Sequence, residues 1–200
     1  MHPLSELFRE VDITYWENTN DKLDDFILRA ITFHKVDVSQ YKLSCDRKKF
    51  GITTCVEYNE KILNFWPYNW ATKYGDKWYK WALQFEVLHE LFHIVDLNEG
   101  RFRFSVRPDG GGKVFWVTKA QSFSFEMLEI HQMMLNITWL YNSLPMEASA
   151  NLQALKSPLL SEGPEAYILI LWDCIKRSKI WIETHSIDVR ESTSTSHQMA

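Results

Sequence analysis

Residues 87–96 read VLHELFHIVD, a run in which two histidines four positions apart bracket a glutamate among mostly apolar side chains. Apolar residues recur at helical spacing around the histidines, for example at Phe85 and Phe92, and this periodicity predicts a helix. Asp76 is the expected N-cap of this helix, and residues 98–100 (Asn-Glu-Gly) are its expected end. Ionisable side chains in such an apolar helix need partners, because burying them alone is costly.

The spacing of the two histidines predicts a metal site. Residues four positions apart lie on one helix face with Cβ atoms about 5–6 Å apart, so His89 and His93 can both bind one Zn²⁺ at about 2.0–2.1 Å. Glu90, one step round the helix, is placed to take a proton from a zinc-bound water. At the histidine and glutamate frequencies of this chain, chance gives roughly 0.02 matches to His-Glu-x-x-His. The motif therefore predicts one zinc ion per chain and Glu90 as general base.

Hydrophobic spacing elsewhere in the chain predicts a mixture of helices and hairpins, and hence one α+β domain. The predicted helices are residues 21–34, a long and mostly buried helix over residues 123–141, a helix opening at Pro145, and residues 165–177. The predicted hairpins pair residues 51–58 with 61–68, and residues 101–107 with 113–117. The polar segment 187–200 is expected to be a disordered tail, which leaves residues 1–186 as a single domain.

Composition restricts the classes of partner and the compartment. Hydrophobic residues make up 46% and charged residues 24% of the chain, the balance of a soluble globular protein. A formal charge of −4 provides no general attraction to nucleic acid or to an anionic membrane, so neither is an expected partner. The three cysteines show no CxxC spacing, and no secretory signal or membrane-spanning run is evident. These features predict a cytoplasmic protein with reduced thiols.

The HELFH motif on a helix that follows a β-hairpin resembles the zincin metallopeptidases. This resemblance implies a zincin-like domain in which a small sheet of hairpins packs on the active-site helix, beside a C-terminal helical part. The glycine and third histidine of the metzincin branch are absent from the sequence after His93, which reads IVDLNEGRFRF. The resemblance therefore favours the gluzincin branch, whose third zinc ligand is a glutamate on a later helix.

Glu147 is the expected third ligand, and the alternatives are Glu126, Glu129 and His131. The segment MEASAN places Asn151 four residues after Glu147, similar to the gluzincin pattern in which the residue at that spacing hydrogen-bonds a ligand histidine. It also resembles the E-x-x-A-N segment of small phage- and plasmid-type gluzincins that cleave intracellular proteins. A glutamate in the first turn of a helix is kept ionised by the helix dipole, which suits a metal ligand.

By this resemblance the chain is a zinc metallopeptidase that hydrolyses peptide bonds of an intracellular protein or peptide. A substrate would add as a strand beside the first hairpin, at Thr53, Thr54, Cys55 and Val56. An oxyanion donor is expected, and the sequence does not choose between His185 and Tyr167. The alternatives are a non-catalytic zincin-fold binding or regulatory protein with a structural zinc, and a helical interaction domain without metal.

Overall fold

The computed structural model of the chain describes residues 20–45, 54–57, 61–65, 68–108 and 111–195. These residues form helices and two small three-stranded sheets, which confirms the predicted α+β class. The chain divides into two compact units: Met1–Val95 with Ala154–Pro164, and Asp96–Gln153 with Glu165–Ala200. The single domain over residues 1–186 stays a prediction. Among the described residues, no helix has both the length and the apolar character needed to span a bilayer.

In the described part of the first unit, one helix and one sheet precede the long helix. Helix α1 (Asn20–His34) has the predicted extent to within one residue. Strands β2 (Thr54–Glu57) and β3 (Ile62–Phe65) pair antiparallel, which confirms the first predicted hairpin. Strand β1 (Lys42–Cys45), which the sequence pattern did not predict, pairs parallel to β3. The sheet order is β1-β3-β2, so β2 is an edge strand.

The motif lies on the long helix α2 (Tyr68–Asn98). Its end is as predicted, because Gly100 adopts a positive φ of 71° and its N–H bonds the Leu97 carbonyl at 3.0 Å. The start of the helix differs from the prediction, because Asp76 lies inside the helix and is not its N-cap. Gly75, which precedes Asp76, also lies inside the helix, and a glycine there costs only about 1 kcal/mol relative to alanine. Burial of every residue from 81 to 94 offsets such a cost.

The second unit contains an antiparallel sheet of three strands. Strands β4 (Phe102–Val106) and β5 (Gly112–Val117) form the second predicted hairpin, and β6 (Ser122–Glu126) is added to its other edge. One face of this sheet is buried and apolar, with Phe102, Val114, Trp116 and Phe123 on it. The ring of Trp181 covers this face, 5.0 Å from the ring of Phe123.

The prediction of one buried helix over residues 123–141 is wrong. Residues 122–126 form β6, because SFSFE alternates polar and aromatic side chains with the period of a strand. Helices α3 (Met127–Asn136) and α4 (Thr138–Tyr141) follow, separated at Ile137 by a non-helical φ of −139°. No residue of α3 is buried, and Leu128 and Leu135 are 68% and 65% exposed.

Two further helices complete the described chain. Helix α5 (Pro145–Leu155) begins at the predicted proline, where the missing N–H is tolerated. Helix α6 (Glu165–Thr195) is much longer than the predicted residues 165–177. It extends past residue 187, at which the sequence places the start of a disordered tail, and residues 196–200 lie outside the described residues.

Candidate metal centre

The two histidines of the motif face each other on one side of α2. Their ring centroids are 4.6 Å apart, the planes are nearly perpendicular at 89°, and the two Nε2 atoms are separated by 3.0 Å. This arrangement follows from the four-residue spacing, which places both side chains on one helix face. His89 is 8% exposed and His93 is 3% exposed, so both imidazoles are largely removed from water.

A carboxylate completes the group. Glu147, in the first turn of α5, is buried and lies with His89 and His93 in a cluster whose ligand atoms are all within 4.8 Å of one another. Three buried residues that each offer one nitrogen or oxygen ligand are therefore close enough to bind a metal ion. The cluster therefore includes Glu147, the residue that the sequence predicts as third ligand, from a different helix.

The donor set and its spacing fit a small divalent cation. Two nitrogens bound to one tetrahedral zinc ion, each at about 2.0–2.1 Å, lie about 3.3 Å apart. The 3.0 Å between His89 Nε2 and His93 Nε2 is close to this value. Without a cation, one imidazole must donate its N–H to the other across the same distance. Two imidazoles and one carboxylate are a combination that zinc accepts, with one position left open.

Glu90 lies beside the cluster in sequence and is itself buried, at 7% exposed. It follows His89 directly, so its side chain leaves the helix about 100° away from that of His89. Among the described residues the three-ligand cluster consists of His89, His93 and Glu147, so Glu90 is not one of its members. Its role as general base stays a prediction.

Asn151 lies one turn after Glu147 on α5 and is 1% exposed. Its side-chain amide donates to the Asn142 Oδ1 atom at 3.4 Å, a contact that the sequence pattern did not predict. The predicted hydrogen bond from Asn151 to a ligand histidine stays a prediction. Asn151 is buried four residues after Glu147, so the two side chains lie on the same face of α5.

The three other ligand candidates are placed differently from Glu147. Glu126 ends β6, half-buried, with its carboxylate 3.1 Å from the Lys113 ammonium. Glu129 and His131 are both exposed on α3. The described cluster includes none of these three residues.

The roles of the predicted substrate strand and oxyanion donors stay predictions. Thr54, Cys55 and Val56 lie on edge strand β2, and Thr53 lies outside the described residues. Tyr167 is half-buried on α6. His185 is exposed, stacks on Trp181 at 4.2 Å, and donates its Nδ1–H to the Trp181 carbonyl at 2.8 Å.

Sequence reasoning missed the part played by Asp96, the last residue of the quoted stretch. Asp96 is fully buried, and its Oδ1 atom accepts from Arg101 Nε at 2.8 Å and from Arg101 Nη2 at 2.5 Å. Gln153 Nε2 of α5 also approaches Oδ1, at 3.4 Å. The available signal was an acidic residue three positions after His93, at the helical spacing of the same face.

A partly buried polar contact lies in the first unit. His34 Nε2 is 2.9 Å from the hydroxyl of Ser157, and its ring packs edge-on against Phe92 at 4.9 Å. Burial lowers the pKa of His34 below its ordinary value, because the charged imidazolium loses hydration there. This contact links α1 to the segment that follows α5.

No family model, curated protein or solved structure matches the chain.

Proposed function

We propose that the chain is a zinc-dependent metallopeptidase of zincin-like fold, with the ligand arrangement of the gluzincin branch. His89, His93 and Glu147 would hold the ion, and Glu90 would act as the general base. The supporting observation is that three buried ligand groups lie within 4.8 Å of one another. Glu90, a further buried ionisable residue, lies on the helix that carries the two histidines.

The burial of the three cluster residues supports metal binding. Ionisable side chains are almost never buried unless they are paired or coordinate a metal, because the loss of hydration is costly. On α2 the flanking residues Leu88, Leu91 and Ile94 are all at most 1% exposed. A metal ion would satisfy both imidazoles and the carboxylate together, and the dry surroundings would strengthen its interaction with them.

The chemistry divides between the ion and the residues of the chain. When bound, zinc supplies a Lewis acid that polarises a carbonyl and makes water a stronger nucleophile at neutral pH. His89 and His93 would present Nε2 lone pairs, and Glu147 would present a carboxylate oxygen. Glu90 would accept the proton of the attacking water and pass it to the leaving amine of the cleaved peptide bond.

The proposed substrate is a peptide or protein segment in extended conformation. Strand β2 pairs on one side with β3, so among the described strands its other side has no neighbour. Peptides commonly bind by adding a strand to such an edge, where backbone hydrogen bonds supply affinity without regard to sequence. Thr54, Cys55 and Val56 would provide those hydrogen bonds.

Metal content is the first test. Protein purified without added metal should contain about one zinc per chain by elemental analysis, and a strong chelator should lower its melting temperature. His93→Ala should abolish the bound zinc, whereas His131→Ala, which changes an exposed histidine on α3, should retain it. Negligible zinc together with unchanged melting on chelation would reject the metalloprotein proposal.

The second test separates an enzyme from a non-catalytic zinc protein. Glu90→Gln keeps the side-chain shape and should retain zinc while cleaving a peptide library about 10²–10⁴-fold more slowly, as judged by mass spectrometry. Glu86→Gln is the matched control, because Glu86 is another buried glutamate of α2, one turn earlier, and lies outside the cluster. A zinc-loaded wild-type protein that cleaves no peptide would favour the non-catalytic alternative, and full activity of Glu90→Gln would refute the proposed mechanism.

A further inference from the structure

Helix α6 has a buried stripe and a separate exposed stripe. Leu171, Cys174 and Ser178 are at most 3% exposed and form the buried stripe. About half a turn round the helix, Leu169 and Ile180 are 61% and 52% exposed. Two large aliphatic side chains therefore point into solvent along one line of the helix, separated by about 16 Å of helix.

The two positions that lie between Leu169 and Ile180 on this line of the helix are charged. Asp173 and Lys176 are exposed, and the spacing of Leu169, Asp173, Lys176 and Ile180 is four, three and four residues. This is the spacing of the contact line in a pair of packed helices. The order along the line is apolar, acidic, basic, apolar.

When two copies of this line run in opposite directions, each acidic residue faces a basic residue and each apolar residue faces an apolar one. We propose that the exposed stripe of α6 is the contact line of a symmetric homodimer in which two copies of the helix pair antiparallel. The two-fold axis would pass between Cys174 and Ile175. A symmetric interface of this kind uses the same patch on both subunits, and each contact occurs twice.

The register follows from the two-fold axis. Leu169 of one copy would pack on Ile180 of the other, and Asp173 would meet Lys176 of the other copy. The Asp173 carboxylate already accepts a hydrogen bond from Arg177 Nε within its own helix, at 2.6 Å through Oδ2, and Oδ1 remains available to a partner lysine. A parallel pair of helices would instead place Asp173 against Asp173 and Lys176 against Lys176, which is repulsive.

Neighbouring exposed residues enlarge the patch on both sides of this line. Trp172 and Ile170 are 40% and 54% exposed on α6, and Trp139 of α4 is 54% exposed beside Arg177, whose guanidinium lies 5.7 Å from the indole centroid. Several large apolar side chains exposed side by side on one helix and its neighbour are typical of an interaction site. One helix pair is small for an interface, so we expect weak association, with a dissociation constant of about 10–100 µM.

Charge reversal tests both the partner and the direction of pairing. Sedimentation velocity of the full chain at rising concentration should show a monomer–dimer equilibrium. Asp173→Lys and Lys176→Asp should each weaken it at least about tenfold, because each reversal places like charges together twice in the dimer. The double variant restores opposite charges across the axis and should recover an affinity within about threefold of wild type. Lys119→Asp, an exposed change in the turn before β6, is the matched control.

Cysteine cross-linking tests the register independently. A mixture of Leu169→Cys chains with Ile180→Cys chains should form a disulfide-linked dimer under mild oxidation, whereas either variant alone should not, when Cys174 is retained in all samples. Circular dichroism confirms that each variant is folded. A chain that stays monomeric at 300 µM, a double variant no better than the single ones, or a cross-link of Leu169→Cys with itself would each overturn the proposal.

Discussion

Helices α2 and α6 are equally long, at 31 residues each, but they depart from the usual hydrophobic pattern in opposite directions. Helix α2 buries two histidines and two glutamates, whereas α6 exposes Leu169, Ile170 and Ile180. A buried ionisable group needs a ligand or a counter-charge, and an exposed apolar row needs another surface. In both helices the proposed roles fall at the positions that depart from the expected pattern.

The largest expected effect concerns the metal cluster formed by His89, His93 and Glu147. Glu147→Ala removes the only carboxylate from the described cluster, so zinc affinity should fall by more than the roughly 10–100-fold typical of residues outside the ligand shell. Glu129→Ala, on an exposed position of α3, should leave the affinity unchanged. Competition with a chromogenic chelator measures both constants. Equal affinities for the two variants would remove Glu147 from the site.

The next effect concerns the charge buried at the end of α2. Arg101→Met removes the guanidinium that donates twice to Oδ1 of the fully buried Asp96 carboxylate, and loss of one partner from such a pair typically costs about 3–5 kcal/mol. Because Arg101 is 38% exposed, we expect a value near the lower limit, about 3 kcal/mol in the free energy of unfolding. Urea unfolding measures this change.

Arg103→Met is the matched control for Arg101→Met. Arg103 is exposed, and within the part of the chain that the structure describes it donates to the Gly100 carbonyl alone, at 3.1 Å, so its replacement should change stability by about 0.5 kcal/mol or less. Similar losses for the two variants would mean that the buried pair contributes no more than an ordinary surface contact.

The cluster was within reach of sequence reasoning because its elements carry local signals. The spacing of His89 and His93 specifies a shared helix face, and Pro145 marks the start of the helix that carries Glu147. The position of Glu147 depends on contacts distant in sequence, and only the resemblance to gluzincins supplied it. Asp96 was overlooked because its partners Arg101 and Gln153 become neighbours only after folding.

The fold was predictable where the hydrophobic period was unambiguous. Helix α1 and both hairpins match their patterns, whereas residues 123–141 combine a strand of period two with an apolar helix. Apolar content alone suggested that α3 is buried, yet Leu128 and Leu135 are exposed. Strand β1 pairs in parallel with β3, and such a pairing has no local sequence signal.

A smaller effect is expected from Asn151, which we propose supports the metal cluster. Asn151→Ala should reduce zinc affinity by about 10–100-fold, because it removes a buried amide one turn from Glu147. Gln153→Ala is the matched control on the same helix, since its side-chain amide donates to Asp96 and Ser149. An unchanged affinity for Asn151→Ala would show that Asn151 does not support the metal cluster.

The smallest expected effect is the pH dependence that His34 adds to the first unit. Burial lowers the pKa of His34 in the folded protein, so the unfolded chain binds the proton more readily. The stability contribution of neutral His34 is therefore present above the ordinary pKa of about 6.5, and it is lost as the pH falls from there through the lowered folded-state pKa. Comparing the free energy of unfolding of wild type and His34→Gln across pH 5–8 isolates this contribution, because all other groups are common to both. Ser157→Ala should lower stability by about 1 kcal/mol through the lost hydrogen bond while keeping the pH dependence, since Ser157 does not titrate. A stability difference between wild type and His34→Gln that does not change with pH would show that His34 contributes packing and a hydrogen bond alone.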